Sequence, residues 1–363
     1  MSNGTTSVRI GGMTTLAATS PIAGDTRITT ARRIFGAALA VNTSLTLLCA
    51  VTFFTGFGAS LVGSVTIDGD TAIRVGANVL VITVLWGFIW LGIKALLLAK
   101  VAKFTREERR AAFGSRMNQP YEVADLVARH SERRIRIVDM IGRRGRFITL
   151  GASAVIYLFT MVDETRPANF AYAFLGANLL DGLINLWIFI GVFWRSGWFA
   201  ASVYGPQSRV MDGVLARANC VSLMTLWALF KFVMVPIGAQ LYALYSPQHF
   251  ALVFMLIWGS YMITDTLAEV GGALYGTQKI RVVGIGDVNR KSIGGTVTGF
   301  IGGLVLCVSL VAANSPGGAW FGLAIVIAVS NSILELWSPR GTDDFTMATA
   351  NALICWAFGA WVL

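Results

Sequence analysis

The sequence predicts an all-α polytopic membrane protein of about nine transmembrane helices, with the N-terminus inside and the C-terminus outside. Three observations carry this. Of 363 residues, 55% are hydrophobic and only 13% are charged, about half the charge density of ordinary soluble domains. Mean hydropathy is +0.66. Nine apolar segments recur, near residues 35–60, 75–98, 147–162, 170–194, 219–243, 249–275, 294–313, 318–337 and 345–363. Each is close to the length that carries a helix across about 30 Å of hydrocarbon. The composition excludes a soluble globular enzyme, a disordered chain and a secreted disulfide scaffold.

Orientation follows from the cations. With the N-terminus in the cytoplasm, 25 Lys and Arg fall on cytoplasmic pieces and two, Arg74 and Arg166, on outer loops. That asymmetry is the positive-inside pattern. The formal charge is +10. These cations sit between apolar spans, so the partners expected are anionic lipid headgroups and a phosphorylated substrate, not nucleic acid. The four cysteines, Cys49, Cys220, Cys307 and Cys355, all lie inside apolar runs with no metal-like spacing and read as small buried hydrophobes. A homo-oligomer is left open.

In chain order, residues 1–30 are polar and expected to be a disordered cytoplasmic N-terminus. Residues 31–98 hold the first two transmembrane helices. Residues 99–146 form a basic cytoplasmic loop. From Pro120, a residue suited to the first helical position, apolar positions recur at helical spacing among many arginines. This predicts an amphipathic helix on the inner leaflet, or a plain connector whose arginines fix topology. Residues 147–248 hold the middle transmembrane helices. There Asn178, Asp181 and Asn185 share one helix face, and Lys231 lies within the fifth span. Asp181 and Lys231 are expected to pair. Gly295, Gly299 and Gly303 make an i, i+4, i+8 ladder that lets a neighbouring helix approach closely.

The chemistry concentrates in the C-terminal region, 249–363. Asp265 and Glu269 are i, i+4 on the sixth span, so both carboxylates project from one face near its cytoplasmic end. Paired hard-oxygen ligands there suit Mg²⁺ held with a nucleoside triphosphate. The following loop offers Lys279 and Arg281, then Arg290-Lys291-Ser292-Ile293-Gly294-Gly295-Thr296. Cations, hydroxyls and glycine amides at a helix start suit phosphate. The eighth span ends in Asn331 and Glu335, followed by Asp343, Asp344 and Thr346. All three pieces fall on one membrane face. The run Gly284 to Ser292 is not a P-loop, because Arg290 stands where a glycine must precede the lysine.

At these residues the chain resembles the CTP-dependent membrane lipid-alcohol kinases (dolichol, phytol and farnesol kinases and the yeast-type diacylglycerol kinase), which are related to the CDP-diacylglycerol synthases. Asp265, Ala268, Gly272, Gly276 and Lys279 match a first element. Lys291, Ser292, Gly295 and Thr296 match a second, and Glu335, Asp343, Asp344 and Thr346 a third. The match spans residues 255–352, about a quarter of the chain. Departures are Thr264 for a common glycine, Ala348 for a proline, and no upstream Arg-Lys-x-x-His element. The resemblance implies CTP as donor, Mg²⁺, and γ-phosphate transfer to a lipid hydroxyl. In that reading Asp265, Glu269 and Asp343 hold the metal. Lys279, Arg290, Lys291, Ser292, Gly295 and Thr296 hold the nucleotide. Asp265, Glu335 and Asp344 serve catalysis. The same residues also fit a phospholipid cytidylyltransferase, and the intramembrane charges fit a transporter.

Overall fold

A computed structural model describes residues 21–54, 69–112, 123–161, 205–206, 209–211, 226, 229, 233–234, 236–282, 290–314, 316–339 and 342–363. Over these it is helical apart from one short hairpin. The elements are α1 (Pro21–Phe54), α2 (Gly69–Lys100), α3 (Arg106–Ala112), α4 (Val123–Arg129), α5 (Glu132–Met161), α6 (Pro247–Tyr275), β1 (Lys279–Arg281), β2 (Arg290–Ser292), α7 (Ile293–Asn314), α8 (Ala319–Trp337) and α9 (Asp343–Trp361). Among the described residues, three helices are long and apolar enough to cross a membrane: 248–275, 293–314 and 319–337.

Two expectations are corrected here. Disorder was expected through Thr30, yet α1 begins at Pro21. The Arg-rich part of the 99–146 loop is not a helix of its own. The helical signal from Pro120 splits at His130 and Ser131 into α4 and α5, and α5 runs unbroken into the third apolar segment. Arg144 and Arg146 of α5 are buried, not exposed to headgroups. The physical reason is compensation. Arg144 finds buried carboxylates on α6, which a leaflet surface could not supply. Asn178, Asp181, Asn185 and Lys231 lie outside the described residues.

The C-terminal helices form one packed unit. α6 packs most extensively on α7, then meets α8 and α9. Its start is set locally: Ser246 caps it by accepting from the His249 N–H at 3.3 Å, and Pro247 opens the first turn. The α6–α7 contact is a backbone approach through glycine. A Cβ on Gly299 would sit 2.7 Å from the Thr264 carbonyl oxygen, and one on Gly295 2.5 Å from that of Ala268. The apolar core of the unit runs through Tyr245, Val253, Ile257, Trp320, Ile327, Met347 and Phe358. At mid-depth it encloses a polar layer. Asn331 of α8 and Asn351 of α9 both donate to the Ser260 hydroxyl, at 3.0 and 3.1 Å, and all three are fully buried.

α2 and α5 form an antiparallel ladder. Trp86 Nε1 donates to Ser153 Oγ at 2.8 Å, and Trp90 Nε1 to Thr149 Oγ1 at 2.9 Å. One turn further, Lys94 pairs with Asp139 at 3.0 Å. The rungs Trp86, Trp90 and Lys94 are spaced i, i+4, i+8, one helix face. They fix the register of α5, and α5 also reaches α6.

Candidate functional site

The site is the end of the C-terminal unit where α6 and α8 finish and α7 and α9 begin. β1 and β2 pair antiparallel between α6 and α7, with Lys279 opposite Ser292, Ile280 opposite Lys291 and Arg281 opposite Arg290. Because strand side chains alternate between faces, Lys291 projects from the face opposite Lys279, Arg281 and Arg290. Of the four hairpin cations, Lys291 alone turns into the bundle. Its ammonium lies 3.2 Å from Glu335 Oε1 and 3.1 Å from Asp343 Oδ2, and it also donates to the Glu335 carbonyl. Burial alone would lower the Lys291 pKa, but the Asp343 and Glu335 carboxylates outweigh it and hold the ammonium above the usual lysine range. Thr296 Oγ1 donates to Glu335 Oε2 at 3.2 Å, and Ser292 Oγ accepts from the Gly295 N–H at 3.1 Å. The start of α7 is thus tied to the end of α8.

Asp265 and Glu269, predicted as metal ligands, are held by arginines that sequence reasoning did not assign. Arg144 Nη2 donates to Asp265 Oδ1 at 2.8 Å, its Nη1 donates to Asp265 Oδ2, and its Nε donates to Glu269 Oε2. Arg143 Nη1 donates to Glu269 Oε1 at 2.8 Å, and Arg209 Nη2 reaches the same oxygen at 3.3 Å. A guanidinium fork matches carboxylate geometry, so this is a strong, directional lock. One signal in the sequence pointed here. Two carboxylates inside a span need cations, and Arg143-Arg144 sits at the border of the third apolar segment.

The sequence-predicted residues therefore divide. Lys291, Thr296, Glu335 and Asp343 share hydrogen bonds or ion pairs. Asp344, also buried beside them at the start of α9, keeps its Oδ1 without a hydrogen-bond partner. Asp265 and Glu269 join the same end of the bundle through Arg144 and Arg143. Lys279 and Arg290 do not turn inward; both are exposed. As for the metal, the donor set does not fit Mg²⁺ in this arrangement. Both oxygens of Asp265 and of Glu269 are taken by guanidinium groups, and Asp343 holds the Lys291 ammonium. Among the described residues, no group of three or more His, Cys, Asp or Glu is placed to hold a metal ion.

A buried ion pair supports the site from outside. Asp139 Oδ2 accepts from the Val210 N–H at 2.7 Å, and Lys94 Nζ donates to the Gly205 carbonyl at 3.4 Å. The pair clamps the segment that carries Arg209. Lys94 also lies on Gly142, where a Cβ would meet its Cδ at 2.9 Å, directly before Arg143.

In sum, four cations (Arg143, Arg144, Arg209, Lys291) interleave with five carboxylates (Asp265, Glu269, Glu335, Asp343, Asp344) in one partly enclosed cluster. No family model, no curated protein and no solved structure matches the chain.

Proposed function

We propose that this protein is a CTP-dependent kinase acting on the hydroxyl of a membrane lipid alcohol (a polyprenol, phytol or farnesol, or diacylglycerol) at the cytoplasmic face of a membrane it crosses about nine times. The observation that carries the reading is the arginine–lysine–carboxylate cluster at the ends of three apolar helices. Its acidic and lysine members, Glu269 apart, are among the residues by which the sequence resembles the lipid-alcohol kinases.

In this reading a triphosphate recruits Arg143, Arg144, Arg209 and Lys291, whose charges now rest on carboxylates. Preorganised cations are the main means by which phosphoryl transfer is catalysed. The lipid oxygen attacks the γ-phosphorus, the bond from that phosphorus to the β–γ bridging oxygen breaks, and CDP leaves. Glu335 or Asp344, at headgroup level, accepts the hydroxyl proton. Ser292, Gly295 and Thr296 line the start of α7 beside the phosphates. Mg²⁺ would accompany the nucleotide as its counter-ion.

The test uses purified protein, lipid alcohols, and CTP labelled separately at the α and γ phosphates. γ-Label in the organic phase with CDP released is the expected result, and Asp265→Asn should abolish it. α-Label in the lipid with pyrophosphate released would instead make the protein a cytidylyltransferase. Label in neither, across all the alcohols, sinks both enzyme readings and leaves transport to be assayed.

A further inference from the structure

Of the four cations on the β1–β2 hairpin, only Lys291 belongs to the cluster. Ile280, opposite Lys291, is exposed. On the face away from Lys291, Lys279 and Arg281 lie along one strand, and Arg290 stands directly opposite Arg281. Like charges directly across an antiparallel pair are destabilising, since their Cβ atoms lie only about 5 Å apart. An anion between the two guanidinium groups would offset that repulsion. Among the described residues no carboxylate pairs with Lys279, Arg281 or Arg290. The nearest acids of the cluster, Glu335 and Asp343, are held by Lys291 on the inner face.

The position of the hairpin says which anion is within reach. It joins α6 to α7, both of spanning length. Ser292 directly precedes the first residue of α7, and only three residues separate Tyr275 from Lys279. At about 3.4 Å per residue, those three residues reach about 10 Å at most. The hairpin base therefore stands in the headgroup layer. Tyr275 at the end of α6 and Trp337 at the end of α8 are strongly exposed, 69% and 79%, as aromatic residues at a membrane–water boundary are.

We propose that the outward face of the hairpin, Lys279, Arg281 and Arg290, seats the phosphate of an anionic phospholipid headgroup from the surrounding membrane. Two guanidinium groups bridge the phosphate oxygens in the bidentate manner that arginine favours, and Lys279 adds a third charge. The lipid relieves the repulsion between Arg281 and Arg290 and holds the hairpin down, with Lys291 aimed into the cluster. This surface is separate from the kinase reading and stands without it. It takes Lys279 and Arg290 away from the nucleotide and gives them to the bilayer.

The experiment titrates the full-length protein in mixed micelles with phosphatidylglycerol or with phosphatidylcholine and follows thermal unfolding. Labelled-CTP binding is measured in parallel. Phosphatidylglycerol should stabilise the wild type more than phosphatidylcholine does, and high salt should remove the difference. Each of Lys279→Gln, Arg281→Gln and Arg290→Gln should raise the half-saturating phosphatidylglycerol concentration about five-fold, the weight of one cation near an anionic membrane. The triple variant should lose the response to phosphatidylglycerol. All three sites are exposed, so the single variants answer the question if the triple variant misfolds. An unchanged phosphatidylglycerol response in the variants overturns the proposal. So does a loss of CTP binding with the lipid response intact, which would return these cations to the nucleotide. Soluble glycerophosphate matching the lipid at equal concentration would overturn the assignment to a membrane headgroup.

Discussion

Two of the places where the described residues bury charge are built differently. Between α2 and α5, Lys94 meets Asp139 at the end of a tryptophan ladder, and each has a second fixed partner, the Gly205 carbonyl and the Val210 N–H. At the end of α6, Arg144 spans two carboxylates, Glu269 takes three arginines, and Lys291 is shared between Glu335 and Asp343. The first is a closed pair, with its geometry fixed by two helices. The second is a network in which Arg144, Glu269 and Lys291 each bridge two or more partners of opposite charge. Buried pairs set register; networks with interchangeable partners can bind.

The comparison makes ordered predictions. The largest effect should come from Arg144→Met, which leaves both Asp265 and Glu269 short of a cation. It should cost at least the ~3–5 kcal/mol of breaking a buried pair, read by thermal unfolding in detergent. Adding Asp265→Asn should recover much of that stability and none of the phosphate transfer. A double variant as inactive but no more stable than the single one would mean that Asp265 is not the group Arg144 serves.

Lys94→Met should destabilise by about 3 kcal/mol, because Asp139 is left buried without its cation. In Lys94→Met/Asp139→Asn most of the loss should return, since asparagine still accepts from Val210. Here activity should recover along with stability. Recovery of stability without activity would mean that the clamp does more than hold the Arg209 segment.

Smaller effects test the packing that carries both sites. Gly299→Ala places a methyl group 2.7 Å from the Thr264 carbonyl and should cost ~1–3 kcal/mol. Gly322→Ala meets nothing within 4 Å and should be neutral or slightly stabilising. Equal effects at the two positions would remove the case for a backbone-close α6–α7 crossing.

The smallest effect is at the start of α3. Thr105 and Glu108 form a reciprocal capping box, with the Thr105 N–H donating to Glu108 at 2.8 Å and the Glu108 N–H to Thr105 Oγ1 at 3.2 Å. Glu108 also meets Arg129 at 2.8 Å and His130 at 3.0 Å. Burial alone would raise its pKa, but the Thr105 N–H, His130 and Arg129 together bring it below the ordinary glutamate value. The folded carboxyl is thus the stronger acid. Its contribution is full above the ordinary value and is lost as pH falls through the lowered one. Glu108→Gln should cost ~1 kcal/mol near neutrality, and the gap from wild type should close in acid. A constant gap across pH would assign the effect to packing instead.

Much of the C-terminal unit was legible in the sequence because the relevant rules are local. Hydropathy gave segments 249–275, 294–313 and 318–337, and α6, α7 and α8 run within two residues of those limits. The i, i+4, i+8 glycines predicted a close crossing, and Gly295 and Gly299 meet the α6 backbone. Asp265, Glu269, Lys291, Glu335 and Asp343 could be gathered at one end by counting alternating spans. The arginine partners could not. Arg144 and Asp265 are separated by 121 residues, and no spacing rule links them. Nor could residue type say that Lys291 turns inward while its neighbour Arg290 turns out. That depends on the register of a three-residue strand.

The sequence alone determined that this chain is helical and apolar enough to enter a membrane, where three helices long and apolar enough to cross one lie, and that acids and cations gather near their ends. These follow from hydrophobic transfer and helical periodicity, which act over a few residues at a time. Only the tertiary structure decided which charge answers which. A buried carboxylate takes whatever cation the packing delivers, and the α2–α5 ladder delivers Arg143 and Arg144 from over a hundred residues away.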